Sequence, residues 1–324
     1  MIKNLNLGET ITDFFIIKDI QLKTTAQGKP YLSAKLLDRS SSVELKVWDY
    51  SGELVPSDNG KIVKVQGTVT NYRESLQING ELIRLATDTD VYDKSKLIPT
   101  APIDVQDYTS KIKQTISAIK DPTYNKICNT VWDYFNKDYI EKPAAKGVHH
   151  AFLNGLLMHS YNMMKTASTI GLIYSDTVDG DLLVSGAFLH DIGKLFEYNF
   201  DSSTNLAVGF SFEGELLGHL IIGSTIIRDI ALENNLDMTK VTLLQNMLLS
   251  HHGKPEYGSA VSSKTLEAEL LHYIDLIDSR VEICRELFEK TPFNSFTEKH
   301  FALDDRAIYK HYVNSVDTAL NNLI

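Results

Sequence analysis

The sequence predicts a two-part protein of mixed α and β class: a small five-stranded β-barrel at the N-terminus, then an all-helical domain. Three observations carry that expectation. Up to about residue 90 the apolar residues recur with a period of two; from about residue 107 the period becomes 3.6; and 324 residues exceed what one compact core ordinarily needs. A hydrophobic fraction of 43% with 23% charged residues belongs to a globular chain with a sizeable core rather than a disordered one.

Successive side chains of a strand point to opposite faces, so a half-buried strand alternates apolar and polar residues. Val43-Glu-Leu-Lys-Val-Trp48 does so plainly, and the stretches 14–22, 31–37, 62–69 and 76–85 follow the same rule. Turn-forming residues separate them at 26–30, 39–42, 57–60 and 71–74, and Asn79-Gly80 marks a bulge. Residues 1–90 therefore form the barrel domain. Residues 91–106, with Pro99 and Pro102 and no clear period, read as a linker. Residues 107–324 form the helical domain, with helices expected over 107–119, 123–135, 150–173, 181–196, 213–234, 239–251, 264–290 and 302–321, broken at Pro122, Pro143, Gly253-Lys-Pro255 and Pro292. In the last of these helices Ala307, Tyr312, Val316 and Leu320 pack either on their own domain or on a second subunit, which leaves a homo-oligomer open.

A formal charge of −10 argues against a protein that coats nucleic acid or an anionic membrane by bulk electrostatics. The charge is uneven. Residues 1–90 carry 11 Lys+Arg against 12 Asp+Glu, so nearly all the excess acidity belongs to the helical part. Cys128 and Cys284 stand in no metal or redox spacing and offer no disulfide framework. Neither a signal-like N-terminus nor a run of 18 apolar residues occurs, so a cytoplasmic protein without a membrane partner is expected.

All ten histidines fall after residue 148. His159 lies in the apolar stripe of Phe152, Leu156, Met163, Ala167 and Ile170; His190 shares a face with Leu183, Ala187 and Lys194; His219 aligns with Leu216, Gly223 and Ile226; His251 ends the stripe of Leu244 and Leu248; and Asp275 and Asp278 follow Ala268 and Leu271. Five helices thus each direct an imidazole or carboxylate inward. Buried polar groups are costly unless paired, so several converging at once require a common partner, and a metal ion supplies it. Imidazole and carboxylate donors suit Mn, Fe, Co, Ni or Zn, with Mg a further candidate, and the lack of cysteine donors argues against a structural zinc site.

The order His159, His190-Asp191, His219, His251-His252, Asp275 resembles the HD-domain superfamily of metal-dependent phosphohydrolases, with His190-Asp-Ile-Gly-Lys194 as the local signature. The fuller strings Gly155-Leu-Leu-Met-His159, Leu189-His-Asp-Ile-Gly-Lys194, Gly214-Glu-Leu-Leu-Gly-His219, Leu249-Ser-His-His-Gly-Lys254 and Glu269-Leu-Leu-His-Tyr-Ile-Asp275, behind a barrel, are similar to the YhaM family of 3'-5' exoribonucleases over roughly residues 10–290. The resemblance implies two divalent ions, manganese foremost. One would be held by His159, His190, Asp191 and Asp275, and the other by Asp191, His219 and His251. It also implies hydrolysis to nucleoside 5'-monophosphates by a metal-activated water, with Asp191, Lys194 and His252 as catalytic candidates. Lys194 is placed to neutralise a phosphate oxygen, against the plainer reading of a solvated helix-end lysine. His252 is a ligand, a substrate donor or a group behind the ligands. His149 and His150 are exposed phosphate contacts or simple surface residues near a helix start. Asp278 is expected behind the ligands or facing substrate, and His272, His300 and His311 are expected to be structural.

The barrel resembles an OB-fold of the nucleic-acid-binding type, whose second and third strands hold single strands by base stacking and backbone cations. Tyr31, Lys35, Lys46 and Trp48 are the corresponding candidates, with Tyr31 and Trp48 capping the barrel core as the competing reading. The leading expectation is a metal-dependent exonuclease on single-stranded RNA, with single-stranded DNA as a further substrate. The alternatives are a phosphohydrolase of nucleotides or cyclic nucleotides and a non-catalytic nucleic-acid-binding adaptor.

Overall fold

The computed structural model describes residues 1–72, 75–147 and 150–311. Strands β1 (Thr10–Thr24), β2 (Pro30–Leu37), β3 (Ser42–Trp48), β4 (Ile62–Tyr72) and β5 (Ser75–Leu85) close into a barrel in the order β1-β2-β3-β5-β4. This is the OB-like barrel expected from the period-two pattern. All its pairings are antiparallel except β3 with β5. The inward residues of the alternating pattern, among them Phe15, Ile17, Leu32, Leu36, Leu45, Val65 and Ile78, fill the barrel. The ladder between β4 and β5 slips between Gln66 and Gly67, which pair with Leu82 and Gly80; this is the bulge signalled by Asn79-Gly80. A second irregularity in β1 lies between Lys18 and Gln21, where Asp19 adopts φ 54°.

The stretch expected as a linker is ordered. It carries the one-turn helix α1 (Lys94–Leu97), and Ala101 N–H donates to Leu153 O at 2.8 Å. Leu97 joins Ile16 and Ile62 of the barrel and Leu206 of the helical part in a small shared core.

The helical domain comprises α2 (Val105–Ala118), α3 (Pro122–Glu141), α4 (Gly155–Ile173), α5 (Gly180–Leu189), the single turn α6 (Lys194–Glu197), α7 (Phe212–Glu233), α8 (Met238–Ser250) and α9 (Leu266–Lys290). Their starts follow from side-chain caps: Asp104, Asp121, Asp179, Ser211, Asp237 and Thr265 each accept a backbone N–H of the first turn. Leu156, Met163, Leu183, Phe188, Ile227, Leu244, Leu248 and Leu271 meet in one large core. A hairpin of β6 (Tyr198–Phe200) and β7 (Ala207–Phe210) reaches back to the barrel, where Thr204 Oγ1 donates to Gly60 O. Gly60 sits at φ +87°, and a side chain there would collide with Val208.

Four expected helices differ, and the one read over 123–135 runs on to Glu141. The helix read over 150–173 begins at Gly155, because His150 and Asn154 hold positive φ and cannot continue a right-handed helix. The helix read over 181–196 ends at Leu189 and resumes as the single turn α6. In place of a helix from 302, a short turn at Phe301–Leu303 precedes a two-residue strand, β9 (Tyr309–Lys310), paired with β8 (Ser295–Phe296). The remainder of that expected helix lies outside the described residues.

Candidate metal centre

Five elements of the helical domain converge on Asp191. His159 lies on α4; His190 closes α5, with Asp191 in the turn that follows; His219 lies on α7; His251 closes α8, with His252 next to it; Asp275 lies on α9. The turn after α5 has its own local cause. Gly193 packs so tightly on α7 that a Cβ would come within 2.1 Å of His219 O, so only glycine admits this approach. Gly218, at φ +68°, kinks α7 immediately before His219.

One carboxylate faces two sets of donors. Asp191 Oδ2 lies 3.6 Å from His159 Nε2 and 3.4 Å from His190 Nε2, and those two nitrogens are 3.1 Å apart. Asp275 Oδ1 is 3.5 Å from His159 Nε2. Asp191 Oδ1 lies 3.8 Å from both His219 Nε2 and His251 Nε2, and His252 Nε2 is 3.3 Å from His219 Nε2. The donor atoms of His159, His190 and Asp191 fall within 4.8 Å of one another, as do those of His219, His251 and His252.

The far nitrogens explain the orientation. His159 Nδ1 is bonded to Asp278 Oδ2 at 2.7 Å, His190 Nδ1 to Ala187 O at 3.1 Å, His219 Nδ1 to Glu197 Oε1 at 2.8 Å and His251 Nδ1 to Leu248 O at 2.8 Å. In each case an acceptor fixes the proton on Nδ1 and turns the Nε2 lone pair inward. Four inward lone pairs repel one another unless a cation lies among them. Asp191 Oδ1, 1% exposed as a residue, has no hydrogen-bond partner among the described residues. The donor set and this orphaned oxygen fit divalent metal, and these clusters could hold it.

The electrostatics agree. Burial alone would raise the Asp191 carboxyl, but His190, Lys194 and His159 outweigh it and hold the group well below the usual carboxylate range. Burial works to lower His190, yet Asp191 outweighs it and lifts the imidazole above its ordinary value. His252 is pushed down to about 4 by burial and by His219, so it is neutral at pH 7.

The expected ligands His159, His190, Asp191, His219, His251 and Asp275 are thus brought together, with His252 beside the second set. Lys194 is neither an extension of the His190 helix face nor a solvated lysine: its ammonium donates to Asp191 Oδ2 at 2.7 Å. His150 requires correction. It is fully buried, not exposed, and its Nε2 is 2.8 Å from Asp278 Oδ2, so it stands behind His159 rather than at a substrate surface. Asp278 is likewise behind the ligands, further held by Asn162 Nδ2 at 3.0 Å. His149 lies outside the described residues. Glu197, which accepts from both the backbone N–H and Nδ1 of His219, went unread, because no helical spacing connects it to the ligands. His272 Nδ1 meets His251 O at 2.8 Å and braces the turn.

On the barrel, Tyr31 and Trp48 are cross-strand partners with ring centroids 4.9 Å apart, and Trp48 is 51% exposed. Neither belongs to the barrel core, so they do not cap it. Lys46 donates to Ser33 Oγ, and Lys35 lies 3.9 Å from Asp19.

Residues 156–280 match the family model described as the HD domain. The architecture is therefore an OB-like barrel followed by an HD domain, and the HD domain suggests a metal-dependent phosphohydrolase. Solved structures similar to parts of the chain include the following. A replication protein A heterotrimer bound to ssDNA is 20% identical over 27% of this chain and 65% of that chain, with a TM-score of 0.21. The OB domain of a Thermoplasma acidophilum protein is 13% identical over 28% of this chain and 89% of that one, with a TM-score of 0.23. The second OB-fold domain of replication protein A from Methanococcus maripaludis is 20% identical over 29% and 97%, with a TM-score of 0.20. Among the described residues no helix is long and apolar enough to cross a membrane.

Proposed function

We propose that the protein is a metal-dependent 3'-5' exonuclease that hydrolyses single-stranded RNA, and single-stranded DNA as a further substrate, to nucleoside 5'-monophosphates. The observation that carries this reading is a single buried carboxylate, Asp191, facing one donor set on each oxygen. His159, His190, Asp191 and Asp275 would hold one ion, and Asp191, His219, His251 and His252 the other, with manganese the first candidate. When bound, such a pair of ions lowers the pKa of an attacking water and offsets charge on the leaving oxygen of a phosphodiester.

The protein's own residues supply the rest. Asp278 and Glu197 hold His159 and His219 in one tautomer, and Lys194 keeps Asp191 ionised. Asp275 and His252, the more open members of the set, form the side from which a scissile phosphate enters. The adjacent Tyr31 and Trp48 rings are suited to hold bases of a strand whose 3' end reaches this centre.

Digestion of 5'-labelled single-stranded RNA with Mn2+ tests the reading. A ladder of shortening products for the wild type, absent for Asp191→Ala, is the expected result. Hydrolysis of free or cyclic nucleotides with RNA and DNA left intact would replace the nuclease reading with that of a nucleotide phosphohydrolase. Strand binding without hydrolysis of either would leave an adaptor.

A further inference from the structure

Where the barrel meets the helical domain there is a cleft of about 280 Å³ that the metal chemistry does not use. Lys18 and Lys35 line it from the barrel and Lys146 from the helical domain, with Asp19 as the single acidic residue. Lys18 and Lys35 sit directly opposite one another in the β1–β2 ladder, an arrangement that like charges disfavour. The irregularity after Lys18, with Asp19 at φ 54°, turns the chain here, and Lys18 Nζ donates to Lys146 O at 3.2 Å. The lysines are little neutralised: Asp19 reaches Lys35 at only 3.9 Å. In a chain of net charge −10, this is a local concentration of positive charge drawn from both domains.

The cleft shares Asp19 and Lys35 with a shallow polar groove over β2 and β3, the face that carries Tyr31 and Trp48.

We infer that this junction cleft is a binding site for a backbone phosphate of a single strand lying on the barrel face, with Lys18, Lys35 and Lys146 as its cations. A phosphate among them offsets the cross-strand repulsion of Lys18 and Lys35. Burial draws the Lys18 amine below its ordinary value; Asp19 opposes this, and Lys146 and Lys35 add to it. This inference rests on the strand-feeding reading above and adds to it a phosphate contact at the domain junction.

The test uses the exposed pair, Lys35→Ala combined with Lys146→Ala, in the full chain. Lys111→Ala, a surface lysine paired with Asp107 far from the cleft in sequence, is the charge-matched control. Binding of a fluorescent 12-mer RNA is followed by anisotropy with metal removed, so no cleavage enters the measurement. The expected result is at least about a tenfold loss of affinity in the double variant and a salt dependence shallower by roughly one in log–log slope, with the control unchanged. Mn2+ binding to the double variant, followed by titration calorimetry, should match wild type, which shows that the fold around the metal centre is intact. Equal affinity and equal salt slope for wild type and double variant would overturn the cleft while leaving the nuclease reading intact. Failure of the wild type to bind RNA at all would overturn both.

Discussion

The two domains hold their polar residues in opposite ways. In the HD domain His159, His190, Asp191, His219 and His251 are buried, and four imidazoles have their outer nitrogens tied to an acceptor. In the barrel Tyr31, Lys35, Lys46 and Trp48 line one strand face, where the lysines make only local contacts with Ser33, Glu44 and Asp19. Burying a polar group costs several times more than leaving it in water, so the first arrangement persists only if something repays it. The second asks for no such compensation. A buried cluster therefore announces its ligand, whereas an exposed patch is compatible with several partners.

The contrast can be broken at graded strength. Asp191→Ala removes the one carboxylate common to both donor sets, and a loss of at least about 10³-fold in phosphodiester hydrolysis is expected, since a metal pair contributes several kcal/mol. Asp278→Asn and Glu197→Gln disturb only the orientation of His159 and His219. Each should weaken Mn2+ binding by about 10–100-fold, measured by titration calorimetry, and excess Mn2+ should restore activity. On the barrel, Trp48→Ala should raise KM for RNA by roughly tenfold, as expected for loss of one stacked base, without changing hydrolysis of bis(p-nitrophenyl) phosphate. An equal loss on both substrates would show that the barrel acts on the metal centre rather than on the strand. At the small end, Lys111→Ala breaks an exposed i,i+4 pair with Asp107 and should leave the urea unfolding midpoint unchanged.

The same contrast explains how much the sequence made legible. The ligand positions follow helical spacing, because one apolar stripe per helix must face the core and a histidine or aspartate inside that stripe is conspicuous. His159, His219 and Asp275 stand out this way as candidate ligands, and the barrel strands follow from alternation. Helical spacing did not reveal the break after Leu189, which depends on Gly193 pressing against His219 from a distant helix. Glu197 and His150 were missed or misplaced for a related reason. Their roles arise from contacts with His219 and Asp278, 22 and 128 residues away in sequence, that no local period encodes. Lys194 was placed near the site, but its partner proved to be Asp191 itself.

The central claim is that Asp191 organises a two-ion centre. Its most direct test is metal stoichiometry: protein stripped with chelator and reloaded with Mn2+ is measured by elemental analysis and calorimetry beside Asp191→Ala. Two equivalents bound per chain in the wild type and loss of both sites in the variant are the expected result. A wild type that binds no divalent cation, or a variant that binds as many ions as the wild type with the same affinity, would contradict it.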